Sequence, residues 1–390
     1  MLKNFKFYRK EMCPCNSGNL YKDCCKIKEP KQFRTQGQFL DFLGKMMKKS
    51  RIKLCLYNGC KAKGKDIINA HALQENRILS KLQVNRQIYM QDFSSKPVML
   101  EIKKGKPEPF FLLKEVHIKD ATVATCFCKT HDDAIFAKIE KPQYSLTVLN
   151  DEQLFLFAYK TFSFELYNQI VVKKFFENMF ANAPQTTKKW PSVYKYRNTV
   201  LKIRDLNYYK DYFDKALKEQ DYGGIETIVI EIPYRIQFAN YMAIAPPFDI
   251  KGRKINYIDK VTKRMKFVFF TIFPDESKSY ILVSALKEDL DTYGQYFDQL
   301  RNSPIGLIKY YINVFIPLST QNLIISPKLW DSWSESAQMG IQFAVADPNS
   351  AKLLKGVQFY LQNIAKFRQK EEIKIDTTNM PFNFFIPHTT

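Results

Sequence analysis

The residues of this chain best suited to metal chemistry are concentrated in its first third. All eight cysteines lie between Cys13 and Cys128, and His388 is the only histidine that follows His131. Thiolates and imidazoles are the side chains that bind zinc, whereas cysteines without a common role would be scattered along the chain. The distribution predicts a metal-binding N-terminal region attached to a larger, metal-free body.

The first group of cysteines lies in the segment 13–25, which reads CPCNSGNLYKDCC. Two short pairs across a tight loop can place four thiolates around one tetrahedral Zn²⁺, and Asn16 and Gly18 are residues that favour the turn. The flanking lysines favour the thiolate form. The alternative is a set of unrelated buried cysteines.

This segment closely resembles the SEC-C motif, a small zinc-binding unit found on the bacterial preprotein-translocase ATPase and on many unrelated proteins, with the usual pattern CPCGSG…KYKxCC. Asn16 stands where the motif has glycine, and Tyr21 and Lys22 match its aromatic-basic pair. The resemblance implies an interaction module rather than a catalyst, because four protein ligands leave no open position on the metal. The implied ligands are Cys13, Cys15, Cys24 and Cys25.

The second group is a cysteine pair, a later Ala-His and then a Cys-x-x-His. Cys128 and His131 are three residues apart, so on one helical turn their side chains point the same way. Cys126 falls outside that spacing and is interpreted as a buried thiol or an alternative ligand. In chain order the group contains Cys55, Cys60, His71, Cys128 and His131.

This order resembles the treble-clef zinc fold of the HNH, or His-Me finger, nuclease superfamily, in which a ββα unit presents a histidine from its first strand. The resemblance implies that His71 is the general base, which takes a proton from water beside a phosphodiester bound to Mg²⁺ or Mn²⁺. A neutral imidazole suits this task because its pKa lies near the working pH. A second, structural Zn²⁺ would be held by Cys55, Cys60, Cys128 and His131.

The chain departs from the superfamily in its ligands for the catalytic divalent ion. If His131 binds zinc, it is not available to Mg²⁺. A nuclease needs a carboxylate, amide or imidazole side chain within about 5 Å of His71 on an exposed face. Otherwise His71 is a hydrogen-bonding residue or a zinc ligand in a non-catalytic module, or the segment binds no zinc. The candidate ligands for the divalent ion are Asp132, Asp133 and Glu140.

The net charge of +21 is concentrated near the cysteines, since residues 1–140 contain 28 Lys and Arg against 14 Asp and Glu. A polyanion is the natural partner of such a region, although general solubility and a lysine-rich composition are the alternative. The loop KAKGK precedes the proposed base and is either a phosphate-binding or a solvated loop. The residues expected to contact nucleic acid are Lys61, Lys63, Lys65 and Arg77.

The chain has no apolar run of about 18 residues, which a membrane helix needs, and its basic start lacks the apolar core of a secretory signal. These features predict a cytoplasmic protein without a membrane partner, in which cysteine pairs are metal ligands rather than disulfides. No GxxxxGK[ST] or GxGxxG loop occurs, which argues against nucleotide hydrolysis.

The apolar pattern predicts an α+β fold, with N-terminal SEC-C and treble-clef zinc modules and a C-terminal antiparallel sheet with covering helices. Helical spacing over 151–182 and about 197–220 is followed, from 224 on, by strand-like runs such as ETIVIEIP and SYILVSAL. The expected units are a SEC-C module at 1–35, an HNH-like module at 45–145, a bridging helix at 151–182 and an α+β body at 190–390.

Two functions remain open. One is an HNH-like, Mg²⁺-dependent nuclease that cleaves phosphodiester bonds in DNA or RNA. Bacterial defence is its expected setting, because several uncharacterised bacterial proteins with a similar front end lie among defence or mobile-element genes. The other is a non-catalytic zinc protein that binds RNA, the ribosome or a protein partner through its SEC-C unit and basic surface.

Overall fold

The structure is a computed structural model, and it describes residues 11–29, 31–93, 95, 97–100, 108–183, 192–256, 262–320, 322–346, 361–362 and 382–386. His388 lies outside these residues, as does most of the predicted body beyond 346.

Helices and antiparallel strands combine in the α+β arrangement that the sequence predicts. The helices are α1 (Gln36–Ser50), α2 (Lys129–Ile135), α3 (Ala137–Glu140), α4 (Asp151–Asn182), α5 (Ser192–Glu219), α6 (Leu290–Asn302), α7 (Ile305–Ser319), α8 (Pro327–Asp331) and α9 (Glu335–Ala346). The strands are β1 (Ile67–His71), β2 (Gln87–Gln91), β3 (Val98–Leu100), β4 (Glu108–Phe110), β5 (Leu113–His117), β6 (Val123–Cys128), β7 (Ile225–Ile232), β8 (Phe238–Ile244), β9 (Val268–Pro274), β10 (Ser279–Leu286) and β11 (Leu323–Ile325).

The largest sheet has seven antiparallel strands in the order β5-β2-β11-β8-β9-β10-β7. Strand β11 joins its two parts, because Ile325 pairs with Tyr89 on β2 and with Phe238 on β8. Strands β2 and β5 belong to the predicted 45–145 module, and the other five belong to the predicted body. The two regions therefore share one sheet, while the predicted domain boundaries stay a prediction.

Both faces of this sheet are covered by helices. On β9, Phe269 and Phe273 pack in the cluster that contains α4 and α5, whereas Phe270 and Ile272 pack in the cluster that contains α6 and α7. Every residue of β9 and β10 is buried. Strands covered on both faces are apolar throughout rather than alternating, which explains runs such as FVFFTIF.

Helix α4 links the N-terminal region to the sheet. Its first turn is closed by a capping box between Asn150 and Gln153, and the helix continues without a break to Asn182. Phe157 and Phe164 of its first half pack against sheet residues, and Phe176 and Phe180 of its second half pack against the SEC-C-like segment. None of the helices in the described ranges has the length and apolar character that a membrane crossing requires.

The second cysteine group is built on a ββα unit. Strands β1 and β6 pair antiparallel, with Ile67 opposite Cys128 and His71 opposite Val123. Helix α2 begins at the residue after Cys128. Phe127 of β6 and Phe136 pack with Tyr159 of α4, so the unit is attached to the same helix as the first cysteine group.

Candidate metal centres and the His71 site

The two sets of predicted zinc ligands each come together in space. Within each set, the donor atoms all lie within 4.8 Å of one another, so each set can hold one metal ion. All eight cysteines are free thiols. The first centre contains Cys13, Cys15, Cys24 and Cys25, and the second contains Cys55, Cys60, Cys128 and His131.

The spacing of the donor atoms suits tetrahedral coordination. In the first centre, the Sγ atom of Cys15 lies 3.3 Å from that of Cys13 and 3.5 Å from that of Cys24. In the second, the Sγ atoms of Cys60 and Cys128 are 3.9 Å apart. A tetrahedral ion with metal–sulfur bonds of about 2.3 Å separates neighbouring ligands by roughly 3.7 Å.

The loop of the first centre requires left-handed backbone at two positions. Asn16 has a φ of 60° and Gly18 a φ of 78°, and the Cys13 N–H donates to the Asn19 carbonyl at 2.7 Å. Asparagine is one of the few residues other than glycine that adopt this conformation readily. This explains why Asn16 can stand where the SEC-C pattern has glycine.

The first centre is docked on the C-terminal half of α4. Tyr21 packs edge-on against Phe180, with ring centroids 6.3 Å apart, and Phe176 and Tyr196 complete the apolar cluster. The Cys25 thiol lies 3.4 Å from the Phe180 carbonyl. The segment that carries the first candidate centre is therefore packed into the folded chain rather than separate from it.

The second centre joins a turn to the ββα unit. Its turn runs from Cys55 to Cys60, with Gly59 at a φ of 75°, and the Ala62 N–H donates to the Cys60 sulfur at 3.4 Å. The Nδ1 atom of His131 lies 3.1 Å from the Cys128 sulfur and 3.5 Å from the Cys55 sulfur. Nδ1 is therefore the ligand atom that His131 offers.

The ring of Tyr57 holds His131 in place. The two rings stack with centroids 4.0 Å apart and an interplanar angle of 18°. Outer contacts that fix the orientation of a ligating histidine are a regular feature of metal sites.

Several of the thiols need a cation to ionise together. Burial raises the pKa of Cys25 strongly and the pKa of Cys55 to about 12. Burial also opposes ionisation of Cys15, but hydrogen bonds, the largest from Ser17, outweigh it and lower the pKa to about 7. A bound cation reverses such penalties, because metal binding releases thiol protons.

His71 lies at the end of β1, half-buried, with 18% of its side chain exposed. Its Nε2 atom is 3.3 Å from the Ile118 carbonyl and 3.9 Å from a carboxylate oxygen of Glu75. Because the carbonyl can only accept, Nε2 carries the proton and Nδ1 is the unprotonated nitrogen. Burial lowers the pKa of His71, and the Ile118 hydrogen bond and Glu75 oppose that shift.

The three candidate ligands for a divalent ion have different surroundings. Asp132 is buried, its Oδ1 atom has no hydrogen-bond partner among the described residues, and it lies near enough to His71 to influence its pKa. Burial raises the pKa of Asp132, while Lys160 opposes the shift. Glu140 forms an ion pair with Lys160, whereas Asp133 is exposed.

The residues predicted to contact phosphates do not lie together. Lys61, Lys63 and Lys65 are exposed before Ile67, at the start of β1, while His71 ends that strand. At about 3.3 Å per residue, the strand separates Ile67 from His71 by roughly 13 Å, so the lysines and the proposed base lie at opposite ends of β1.

The guanidinium of Arg77 is already used in a hydrogen bond within the chain. Its guanidinium donates to the Lys141 carbonyl at 3.0 Å, and burial lowers its pKa.

Three residues around His71 were missed by the sequence-based reasoning. Glu75 and Arg86 are connected by an ion pair of 2.8 Å, and Lys160 is buried on α4. A lysine within the apolar run of 154–167 was a visible signal for a buried charge. Arg86 had no such signal, because its importance depends on the contact with Glu75.

Comparisons of the chain with protein-family models, with curated proteins and with solved structures find no match.

Proposed function

We propose that this protein binds nucleic acid and that its ββα unit is an HNH-like, metal-dependent nuclease centre acting on DNA or RNA. The observation that carries the proposal is the setting of His71. It ends the first strand of the unit, its Nε2 atom is fixed by the Ile118 carbonyl, and a carboxylate oxygen of Glu75 lies 3.9 Å away. The last distance meets the requirement for a polar side chain within about 5 Å.

Both sulfur-rich centres are proposed to hold Zn²⁺. Thiolate and imidazole donors at tetrahedral spacing favour this ion over Mg²⁺ or Ca²⁺, which prefer oxygen. Each centre supplies four ligands, so both ions would be structural. The second ion would fix the end of β6 against the start of α2, and it would thereby set the position of Asp132 relative to His71.

A divalent ion for catalysis would be held through Asp132. Its carboxylate has a buried oxygen without a partner among the described residues, the charge of Asp132 influences the pKa of His71, and carboxylate oxygens suit Mg²⁺ and Mn²⁺. When bound, such an ion polarises the phosphodiester and stabilises its developing negative charge. His71 would take a proton from the attacking water at Nδ1, and the Ile118 carbonyl would hold the ring in the required tautomer.

The decisive test is cleavage of labelled DNA and RNA by purified protein with added Mg²⁺ or Mn²⁺. Wild type is expected to cleave, while His71→Ala and Asp132→Asn are expected to lose at least 100-fold in rate, since general-base catalysis contributes about 10²–10⁴. Asp298→Asn is the matched control for Asp132→Asn. Asp298 is exposed on α6, outside the ββα unit, and its substitution should leave cleavage intact.

Cleavage that survives His71→Ala would eliminate His71 as the base. If wild-type protein with its full metal content cleaves neither DNA nor RNA, the nuclease proposal is wrong.

One observation favours the second candidate function, a non-catalytic zinc protein with a protein partner. Met12 and Ile27, at the two ends of the SEC-C-like segment, are 60% and 72% exposed. Exposed apolar side chains on an interaction module suit a docking partner. The same assay separates the two functions, because a non-catalytic protein would cleave neither DNA nor RNA.

A further inference from the structure

Arg86 occupies an unusual backbone position near His71. The turn Val84–Gln87 has two central residues, Asn85 with a φ of 49° and Arg86 with a φ of 62°. Two-residue turns of this kind favour glycine at the second central position, because positive φ is unfavourable for residues with a Cβ atom. An arginine at this position points to a role for its side chain that offsets the loss of local stability.

A second strained residue, Thr122, precedes Val123, the strand partner of His71. Thr122 is β-branched and buried, with a φ of 56°, and its carbonyl accepts from the Ala72 N–H at 3.0 Å. The Arg86 carbonyl accepts from the N–H of Ile118, the residue whose carbonyl contacts His71. Strained backbone tends to gather at functional sites, and here each strained residue is one backbone hydrogen bond from a residue that adjoins or contacts the proposed base.

The carboxylate of Glu75 connects the guanidinium of Arg86 to the His71 site. Its Nη2 atom donates to Glu75 Oε1 at 2.8 Å, and the other oxygen of Glu75 lies 3.9 Å from His71 Nε2. The Arg86 side chain is 59% exposed, against 21% for Glu75 and 18% for His71. Of the three side chains, that of Arg86 is therefore the most accessible to a ligand.

Part of this guanidinium is available to a ligand. Among the described residues, its Nη1 atom has no hydrogen-bond partner, and its Nε atom contacts His117 Nε2 at 3.2 Å. The Lys119 backbone N–H also points at His117, 3.1 Å from Nδ1. A neutral imidazole has only one acceptor nitrogen, so both contacts cannot be hydrogen bonds at once. The contact with Nε is thus readily exchanged for a ligand oxygen.

We infer that Arg86 binds a phosphate of the nucleic-acid strand at the His71 site, through the side of its guanidinium not used by Glu75. The inference rests on the proposed function and gives it a phosphate-binding residue that the sequence did not indicate. Arginine forms two parallel hydrogen bonds with phosphate, which fixes the orientation of the group as well as its place. The lysine loop at the far end of β1 would contact the backbone at a different nucleotide.

The test compares Arg86→Gly, Arg86→Lys and wild type for binding of fluorescein-labelled DNA and RNA oligonucleotides, by anisotropy at several salt concentrations. No Mg²⁺ or Mn²⁺ is added, so that substrate is not consumed. Arg86→Gly should bind at least 10-fold more weakly, and its slope of log affinity against log salt should shrink by about 0.7–0.9, the value for one lost phosphate contact. Arg86→Lys should keep the slope but lose part of the affinity, because a lysine lacks the planar fork.

Misfolding is excluded within the same series. Glycine relieves the positive φ at position 86, so the urea midpoint of Arg86→Gly should equal or exceed that of wild type. Arg301→Ala is the matched control. Arg301 is also exposed and paired with a carboxylate, Glu226, but it lies on α6 beside β7, at the opposite edge of the sheet from β5. Its substitution should leave binding unchanged.

The outcomes separate this inference from the proposed function. If Arg86→Gly binds with wild-type affinity and salt slope, or if wild type binds no nucleic acid, the inference is overturned, whatever the cleavage assay gives. If Arg86→Gly loses affinity and salt slope while Arg301→Ala keeps both, the inference holds, even where wild type cleaves nothing and the nuclease proposal fails.

Discussion

Lys160 has an uncommon environment for a charged side chain. It lies within α4 with 4% of its side chain exposed, in an ion pair with Glu140 and 4.4 Å from the centre of the Phe136 ring. Burial lowers its pKa to about 8, and Asp132 opposes that shift. A lysine in this position supplies the positive charge that two neighbouring carboxylates require.

Replacing Lys160 by methionine should destabilise the protein by about 3 kcal/mol, because Glu140 would be left as an unpaired, largely buried charge. The double variant Lys160→Met with Glu140→Gln should recover most of that loss, since it removes both charges. Urea denaturation of the three proteins measures the effect. Equal stabilities of the single and double variants would show that the ion pair is not the source of the loss.

His71 should make the protein sensitive to acid. Burial lowers its pKa below 6.5, so the folded chain favours the neutral ring. The stability that depends on this neutral form is fully present above pH 6.5 and is lost as the pH falls from 6.5 towards the folded-state pKa. Urea denaturation at pH 7.5 and 5.5 should show a smaller loss for His71→Asn than for wild type. An identical loss would contradict the expectation.

At the residue scale, the sequence predicted the groupings of cysteine and histidine that depend on local spacing. The cysteines of the first centre are close in the chain, and Cys128 and His131 share one turn, so their grouping could be read from sequence. The contacts of Lys160 with Glu140 and of Arg86 with Glu75 depend on how separate elements pack. No local pattern contains that information, and these residues were missed.

At the scale of elements, α4 packs against both the large sheet and the first cysteine group. The sequence predicted its range, because the apolar spacing and the acidic first turn are local signals, and the four strands β7 to β10 were predicted for the same reason. The pairing of β2 and β5 with the body was not predicted. It depends on Ile325 meeting both Tyr89 and Phe238, and periodicity cannot identify partners so far apart.

The start of α4 should be sensitive to its cap. Asn150 accepts from the Gln153 N–H at 2.9 Å, and the Gln153 side chain accepts from the Asn150 N–H at 3.2 Å. Asn150→Ala is expected to cost about 1 kcal/mol of stability, whereas Asn150→Asp, which keeps the acceptor, should cost much less. Thermal unfolding of the two variants checks this. Equal losses would mean that the cap is not what stabilises the helix start.

At the scale of the whole molecule, the two candidate metal centres pack against one helix, the first against its C-terminal half and the second against its N-terminal half. The purified protein should contain two zinc atoms per chain, and Cys25→Ala should contain one. Cys126→Ala is the matched control, because Cys126 is a buried thiol that belongs to neither centre. It should keep both atoms.

Elemental analysis of protein prepared without chelators measures these contents. Fewer than two equivalents in wild type, or a loss of metal in Cys126→Ala equal to that in Cys25→Ala, would contradict the assignment of the centres.

The position of β11 between β2 and β8 in the seven-stranded sheet has a consequence for synthesis on the ribosome. Strands β2 and β5 emerge early, but the strand that joins them to β8 is made only after β7 to β10. Until then the early pair presents an open edge, which is a hazard for association between nascent chains.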